Sequence, residues 1–103
     1  MKLNIPLIRA SEVTVTAGVA AITIPEVTLT AGTIYDIGLF TSVTVTSTGN
    51  AITIQTAAEG TTALPVLNNL GNNARPKLLT ARQVLRVMYL GDPEHFLLLG
   101  IRG

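Results

Sequence analysis

The feature that most constrains the fold is an alternation of β-branched aliphatic residues with threonines. It appears as VTVT at 13–16 and 43–46, and as AITI at 21–24 and 51–54. A period of two puts the aliphatic side chains on one face of a strand and the threonines on the other, whereas a helix would scatter them around its axis. The pattern therefore predicts half-buried antiparallel strands.

An internal repeat extends this prediction. Residues 13–24, VTVTAGVAAITI, recur thirty positions later as residues 43–54, VTVTSTGNAITI. Each copy is predicted to form a hairpin, because Gly18 in the first connection and Gly49-Asn50 in the second tolerate positive φ. Two copies are too few for a solenoid, which needs about three repeats. The predicted fold class is all-β: an antiparallel sandwich or jelly-roll-like small barrel built from threonine-rich hairpins.

Two further strands are predicted from shorter patterns. Residues 31–40, AGTIYDIGLF, are rich in aliphatic and aromatic residues, and residues 63–67, ALPVL, form a short apolar run. Residues 68–77, NNLGNNARPK, are predicted to form a loop because Asn, Gly and Pro dominate them.

Segment 78–90 admits a helix or a strand. Thr80 and Gln83 have the spacing of a helical capping box. The β-branched and aromatic residues that follow, and their alternation with polar ones, favour a strand that pairs back with residues 95–102. The strand is the favoured interpretation. Both faces of such a hairpin are apolar, so each needs cover from the core or from another protein.

Several segments are candidates for contact with other protein surfaces. The N-terminal residues 1–11 are extended by pattern and form either an arm across a neighbouring subunit or the first strand of the single β domain that occupies 12–103. One face of the C-terminal hairpin and the basic end of the loop are further candidates. The predicted contact residues are Ile5, Leu7, Ile8, Arg75, Lys77, Val84, Met88 and Leu90.

The composition favours a building block of an assembly. Only 13% of the residues are charged, against about 25% in a typical domain. Part of the surface is therefore expected to be covered by partner subunits. The net charge of +1 gives no strong attraction to nucleic acid or to a membrane surface. We expect no membrane span and no secretion signal, since no apolar run approaches about 20 residues.

No residue pattern in the chain predicts chemistry. His95 is the single histidine and there is no cysteine, so the usual zinc ligand sets are excluded. No nucleophile motif, phosphate-binding loop or calcium loop occurs. We therefore expect a protein that is not an enzyme and that uses no cofactor.

The layout resembles the small β-rich structural proteins of tailed bacteriophage virions, such as capsid decoration proteins, head fibres and fibre modules. The resemblance is carried by the two threonine-valine hairpins, by LPVLNNLGNNARP at 64–76, and by the closing LTARQVLRVMYLGDPEHFLLLG at 79–100. It implies a homotrimeric module, assembled in the bacterial cytoplasm, that binds the major capsid protein or another virion component and reinforces it. These families carry no catalytic signature.

The resemblance also allows a different role, a tail or fibre domain that binds a receptor or a glycan. The side chains expected to line such a site are those of Asn68, Asn69, Asn72 and Asn73.

Overall fold

The structure is a computed structural model of the 103-residue chain. It describes residues 5–16, 18–39, 46–47, 51–56, 62–68, 70–72, 78–79, 83–91 and 93–102. Within these ranges the chain forms ten strands and no helix. The strands are β1 (Leu7–Arg9), β2 (Glu12–Thr16), β3 (Val19–Ile24), β4 (Ile34–Gly38), β5 (Thr46–Ser47), β6 (Ala51–Thr56), β7 (Leu64–Leu67), β8 (Leu78–Leu79), β9 (Val84–Leu90) and β10 (His95–Arg102).

Eight of the strands form one mixed sheet. Their order is β1-β4-β9-β10-β7-β6-β3-β2, and β5 and β8 form a separate two-stranded sheet. The predicted all-β class is confirmed, and a sandwich or small barrel is compatible with this order. The sheet is not antiparallel throughout, because β1 with β4, β3 with β6 and β7 with β10 are parallel pairs.

The two ends of the sheet meet at one point of the chain. β1 and β2 stand at opposite ends of the strand order, yet only Ala10 and Ser11 separate them. The Ala10 amide donates to the carbonyl oxygen of Gly38 at 2.9 Å, and the Ser11 amide donates to that of Thr23 at 2.8 Å. One continuous segment thus leaves β4 and joins β3 within two residues, so the sheet curls around its core.

β7 joins the two parts of the sheet in the middle of the strand order. Its first half pairs with β6, where Leu64 faces Ile54. Its second half pairs with β10, where Val66 faces Phe96. We call β1, β4, β9 and β10 one half-sheet, and β6, β3 and β2 the other. Because the short strand β7 pairs with both half-sheets, the two layers share a single core.

Part of the N-terminal segment belongs to the chain's own sheet. Residues Leu7–Arg9 form an edge strand parallel to β4 of the same chain, with Leu7 opposite Asp36 and Arg9 opposite Gly38. Residues 1–4 lie outside the described residues.

The repeat folds differently in its two copies. The first forms the predicted hairpin, in which β2 and β3 are antiparallel and Thr16 faces Val19. Gly18 lies in the connection with φ of 78°, a conformation that side chains with a Cβ disfavour. The hairpin predicted for the second copy is wrong in its described part, because β5 pairs with β8 and β6 lies between β3 and β7.

The two AITI strands are instead parallel neighbours. Ala20 of β3 faces Ile52 of β6, and Ile22 faces Ile54. These partners are 32 positions apart, two more than the sequence repeat. A shift of two residues leaves every side chain on the same face, so the aliphatic residues still point inward. Alternation fixes the face of a side chain but not the neighbouring strand, which explains the wrong prediction.

The core contains the inward-facing residues of both half-sheets. Its side chains are almost entirely aliphatic, and Phe96 is the largest that is fully buried. The buried hydrophobic residues are Ile8, Ala10, Ala20, Ile22, Ile24, Tyr35, Ile37, Leu39, Ile52, Ile54, Val66, Leu85, Val87 and Phe96. Each fully buried Ile, Leu or Val contributes about 1.5–3 kcal/mol relative to exposure.

The strand predicted in the C-terminal segment is confirmed for Val84–Leu90. β9 pairs antiparallel with β10 along its whole length, and the register shifts between Leu98 and Gly100 as in a β-bulge. Leu85 and Val87 of β9 are fully buried in the core. The strands predicted within 31–40 and 63–67 are also confirmed, as β4 and β7.

Candidate protein-contact face

The outer side of the half-sheet formed by β1, β4, β9 and β10, together with β7, is largely apolar, and Arg9 and His95 occupy outward positions at its margins. The register sets one row of side chains across four strands, from Ile34 through Met88 and Leu97 to Leu67. The residues before and after Met88 in β9 point into the core, so this row faces outward. We call the following residues the outer apolar face: Leu7, Ile34, Leu67, Val84, Met88, Leu90, Leu97 and Leu99.

The outer apolar face is open to water. Leu7 and Leu99 are 52% and 44% exposed, and the other members are half-buried among their own neighbours. Scattered exposed leucines are ordinary in a soluble protein. An unbroken row of four large apolar residues on adjacent strands, with further leucines around it, is typical of a surface that another protein covers.

An ion pair lies in the next row of the same side. Asp36 of β4 and Arg86 of β9 face each other across the strands. Arg86 donates from Nε to Oδ1 at 2.9 Å and from Nη2 to Oδ2 at 3.1 Å. The hydrogen bond that Arg86 donates to Asp36 raises the pKa of Arg86 above its ordinary value. Because the two charges neutralise each other, a protein covering this face needs no ionic group opposite them.

The outer side of the other half-sheet is polar. Its rows run from Glu12 through Thr23 to Gln55, and from Thr14 through Ala21 to Thr53. Thr14 donates to the Glu12 carboxylate and Gln55 donates to the Thr23 hydroxyl, both at 3.5 Å. Short polar side chains of this kind are compatible with water. The contrast between the two sides identifies the outer apolar face as the surface best suited to protein contact.

The contact residues predicted from the sequence do not all lie on one side of the structure. Leu7, Val84, Met88 and Leu90 all belong to the outer apolar face. Ile8, which the sequence predicts as a contact, packs into the core of its own chain with 9% exposed. The reason is the alternation of a strand, which points neighbouring side chains to opposite sides.

Three predicted contact residues remain. Ile5 is half-buried just before β1. Arg75 and Lys77 lie outside the described residues.

The asparagines proposed for a glycan site have a local role where they are described. Asn68 Oδ1 accepts hydrogen bonds from the amides of Leu70 at 2.9 Å and Asn72 at 3.1 Å. This is a side chain that closes its own turn. Asn69 and Asn73 lie outside the described residues.

The histidine and the acidic residues are the side chains that could bind a metal ion. His95 donates from Nδ1 to the carbonyl oxygen of Pro93 at 2.7 Å. In the part of the chain that the structure describes, no three His, Asp or Glu side chains converge as a metal site would require. The same residues contain no helix long and apolar enough to cross a membrane.

Sequence reasoning missed the pairing of Asp36 with Arg86. A signal for it exists, because each is a lone charge of opposite sign inside an apolar strand, in TIYDIGLF and VLRVMYL. A charge at such a position is stable only beside a partner. It also missed Ile34, Leu67 and Leu97 as outward-facing residues, since the strand order that aligns them is not visible in the sequence.

Comparisons with known proteins do not assign the chain to a family. No family model matches it. Searches of the curated proteins and of the solved structures return no match either. Its function therefore has to be argued from its own residues and geometry.

Proposed function

We propose that this chain is a virion structural protein of a tailed bacteriophage, a capsid decoration (cement) or head-fibre subunit that acts as a homotrimer. The observation that carries the proposal is the outer apolar face, where the charges of Asp36 and Arg86 neutralise each other within the chain. The layout of strands and loops that resembles such proteins supports the same role. The chain works through protein–protein contact and not through chemistry.

The mechanism is mass action between folded surfaces. A subunit that binds only the intact lattice of a capsid stabilises that lattice by its binding free energy. A trimer multiplies this effect, because the second and third contacts form at high effective concentration once the first is made. The apolar side chains supply the burial, and the closed pair Asp36–Arg86 avoids the cost of desolvating an unpaired charge.

The first test measures whether the outer apolar face makes intermolecular contacts. The solution mass of the intact chain is determined by light scattering on a sizing column over a wide dilution range. We expect a trimer that persists on dilution. The variant Met88→Lys should be monomeric, while the control Thr53→Lys, at a half-buried outer position of β6, should keep the trimer.

The second test addresses the virion directly. The purified protein is mixed with heads of the phage that encodes it, and co-sedimentation is measured. Binding by the wild-type chain and by Thr53→Lys, with loss in Met88→Lys, is the expected result. A wild-type chain that is monomeric at every concentration and fails to sediment with heads would contradict the proposal. Binding to tails instead of heads would move the role to the tail or fibre.

A further inference from the structure

A cavity of about 530 Å³ lies between the two half-sheets, at one end of the molecule. It is bordered by the ends of β3 and β6, the start of β7 and β10, and the turn before β10. Its described lining residues are Ile24, Leu29, Ile54, Gln55, Thr56, Thr62, Leu64, Glu94 and Phe96. None of these belongs to the outer apolar face, so the cavity is a separate feature of the chain.

The inner part of the cavity is apolar. Ile24, Ile54 and Phe96 form its floor and are fully buried side chains of the core. Leu29 and Leu64 are half-buried and form its walls. The volume falls within the range of about 300–1,000 Å³ that small-molecule sites occupy, and sites of this kind are mostly apolar with a few polar groups.

The polar groups are few and stand around the apolar floor. Thr56 faces Ile24 across β3 and β6, at a position where the inward row of β6 otherwise carries isoleucine. Thr62 and Glu94 are exposed at the opening. Gln55 also borders the cavity, but its side-chain amide donates to Thr23 on the outer side of the sheet.

Glu94 gives the cavity its charge. It is the only charged residue among the described lining residues. Its Oε2 accepts a hydrogen bond from the Tyr89 hydroxyl at 2.9 Å, which holds the carboxylate in place beside the floor. An ionised carboxylate accepts hydrogen bonds at both oxygens and donates none. The acceptor sites of Glu94 that Tyr89 does not use are therefore suited to a ligand that donates hydrogen bonds.

We infer that this cavity binds a small amphipathic cation, a molecule with an apolar body and an ammonium group. The apolar body lies over Leu29, Leu64 and the core residues beneath them. The ammonium group donates to the Glu94 carboxylate, as charge complementarity requires at a site whose described lining carries one negative group and no positive one. This inference goes beyond the proposed function and does not depend on it.

The test compares three probes of equal length on the intact protein: n-hexylammonium, n-hexanol and n-hexanoate. Binding is followed by chemical-shift changes of backbone amides in two-dimensional NMR at neutral pH. We expect n-hexylammonium to bind in the millimolar range, with the largest shifts at Leu29, Thr56 and Leu64. The alcohol should bind about tenfold more weakly, and the carboxylate not at all.

Three variants distinguish binding at the Glu94 carboxylate from non-specific charge attraction. Glu94→Gln should remove the preference for the ammonium probe over the alcohol, while its amide oxygen still accepts from Tyr89. The control Glu12→Gln removes the same charge from the polar outer side, where Glu12 is exposed, and should leave binding unchanged. Tyr89→Phe removes the hydrogen bond that holds the Glu94 carboxylate in place and should weaken the binding of n-hexylammonium without removing its preference over the alcohol.

Three outcomes would overturn the inference. They are equal binding of the three probes, loss of binding in Glu12→Gln as well as in Glu94→Gln, or shifts confined to Leu97 and its neighbours on the outer apolar face. None of them bears on the trimer or on binding to heads, so failure here is distinguishable from failure of the proposed function.

Discussion

Asp36 forms a bidentate ion pair with Arg86. It is the one charged residue among those described that is buried, with 7% exposed, and both of its carboxylate oxygens accept from the guanidinium. Removing the guanidinium takes two hydrogen bonds and an opposite charge away from a buried acid, which costs more than replacing both members by apolar residues. The pair is therefore expected to be strongly non-additive.

The variant Arg86→Met should lower the urea midpoint of unfolding clearly. The double variant Asp36→Leu with Arg86→Met should recover most of that loss, because no buried charge then remains. The midpoints are compared by circular dichroism at neutral pH. A double variant that is less stable than Arg86→Met alone would show that the pair stabilises the fold by its own attraction.

Ionisation of Tyr89 is expected to make the folded chain less stable at alkaline pH. Burial, helped by the hydrogen bond to Glu94, raises the pKa of Tyr89 above its ordinary value of 10.0. The neutral phenol is thus favoured more in the folded chain than in the unfolded chain. This contribution to stability is complete below about pH 10 and is lost as the pH rises through the folded pKa.

We expect the free energy of unfolding of the wild type to fall more steeply above pH 10 than that of Tyr89→Phe, which has no phenol to ionise. Urea unfolding of both chains at a series of alkaline pH values measures the two slopes. Tyr35 is present in both and serves as an internal control. Identical slopes in the two chains would contradict the role given to Tyr89.

At the scale of elements, the parallel strands β3 and β6 have the inward and outward faces that the alternation in the sequence predicts. Ile22 is fully buried and Thr23 lies on the outer side. Ile22→Ala should cost about 2–5 kcal/mol, because it removes core contacts and leaves a cavity. Thr23→Ala, one residue further along, should change stability by no more than about 0.5 kcal/mol.

Both values come from urea unfolding followed by fluorescence or circular dichroism. Comparable costs at the two positions would mean that β3 does not present alternate faces to the core and to water.

The sequence was sufficient to predict faces but not neighbours. Ile22, Ile24, Ile52 and Ile54 are inward-facing as their alternation indicates. The same alternation is satisfied by a hairpin in the second copy and by the parallel pair that the chain forms, so local pattern could not choose between them. The outer apolar face was predicted in part, through Leu7, Val84, Met88 and Leu90, because an all-apolar strand must expose one side. Its partners Ile34, Leu67 and Leu97 depend on a strand order set by long-range packing.

At the scale of the whole molecule, closure depends on two consecutive backbone amides. The amides of Ala10 and Ser11 donate to different half-sheets, to Gly38 next to β9 and to Thr23 in β3. Proline at position 11 would remove the second of these donors and would also restrict the backbone of Ala10. Closure is then weakened at the point where the two ends of the sheet meet.

Ser11→Pro should lower the free energy of unfolding by about 1–3 kcal/mol. Ser11→Ala keeps the amide and loses only the exposed contact of the Ser11 hydroxyl with Thr23, at 3.2 Å, so it should stay close to the wild type. Hydrogen exchange gives a second readout, since the amides of β1 and β4 should lose protection in the proline variant alone. Equal stability of the two variants would contradict a closed sheet.

The strand order also has a consequence for how the chain is made. β2, β3, β6 and β7 lie within the first 67 residues, so that layer can assemble while the rest of the chain is still on the ribosome. β4 has β1 and β9 as neighbours among the described strands, and β9 and β10 follow all the other described strands in the chain. Until β9 and β10 are made, the core lacks Leu85, Val87 and Phe96, and the nascent chain exposes part of its apolar interior. This single domain therefore completes its core only after the β9–β10 hairpin has left the ribosome, and a chain cut within that hairpin would leave the early layer without its cover.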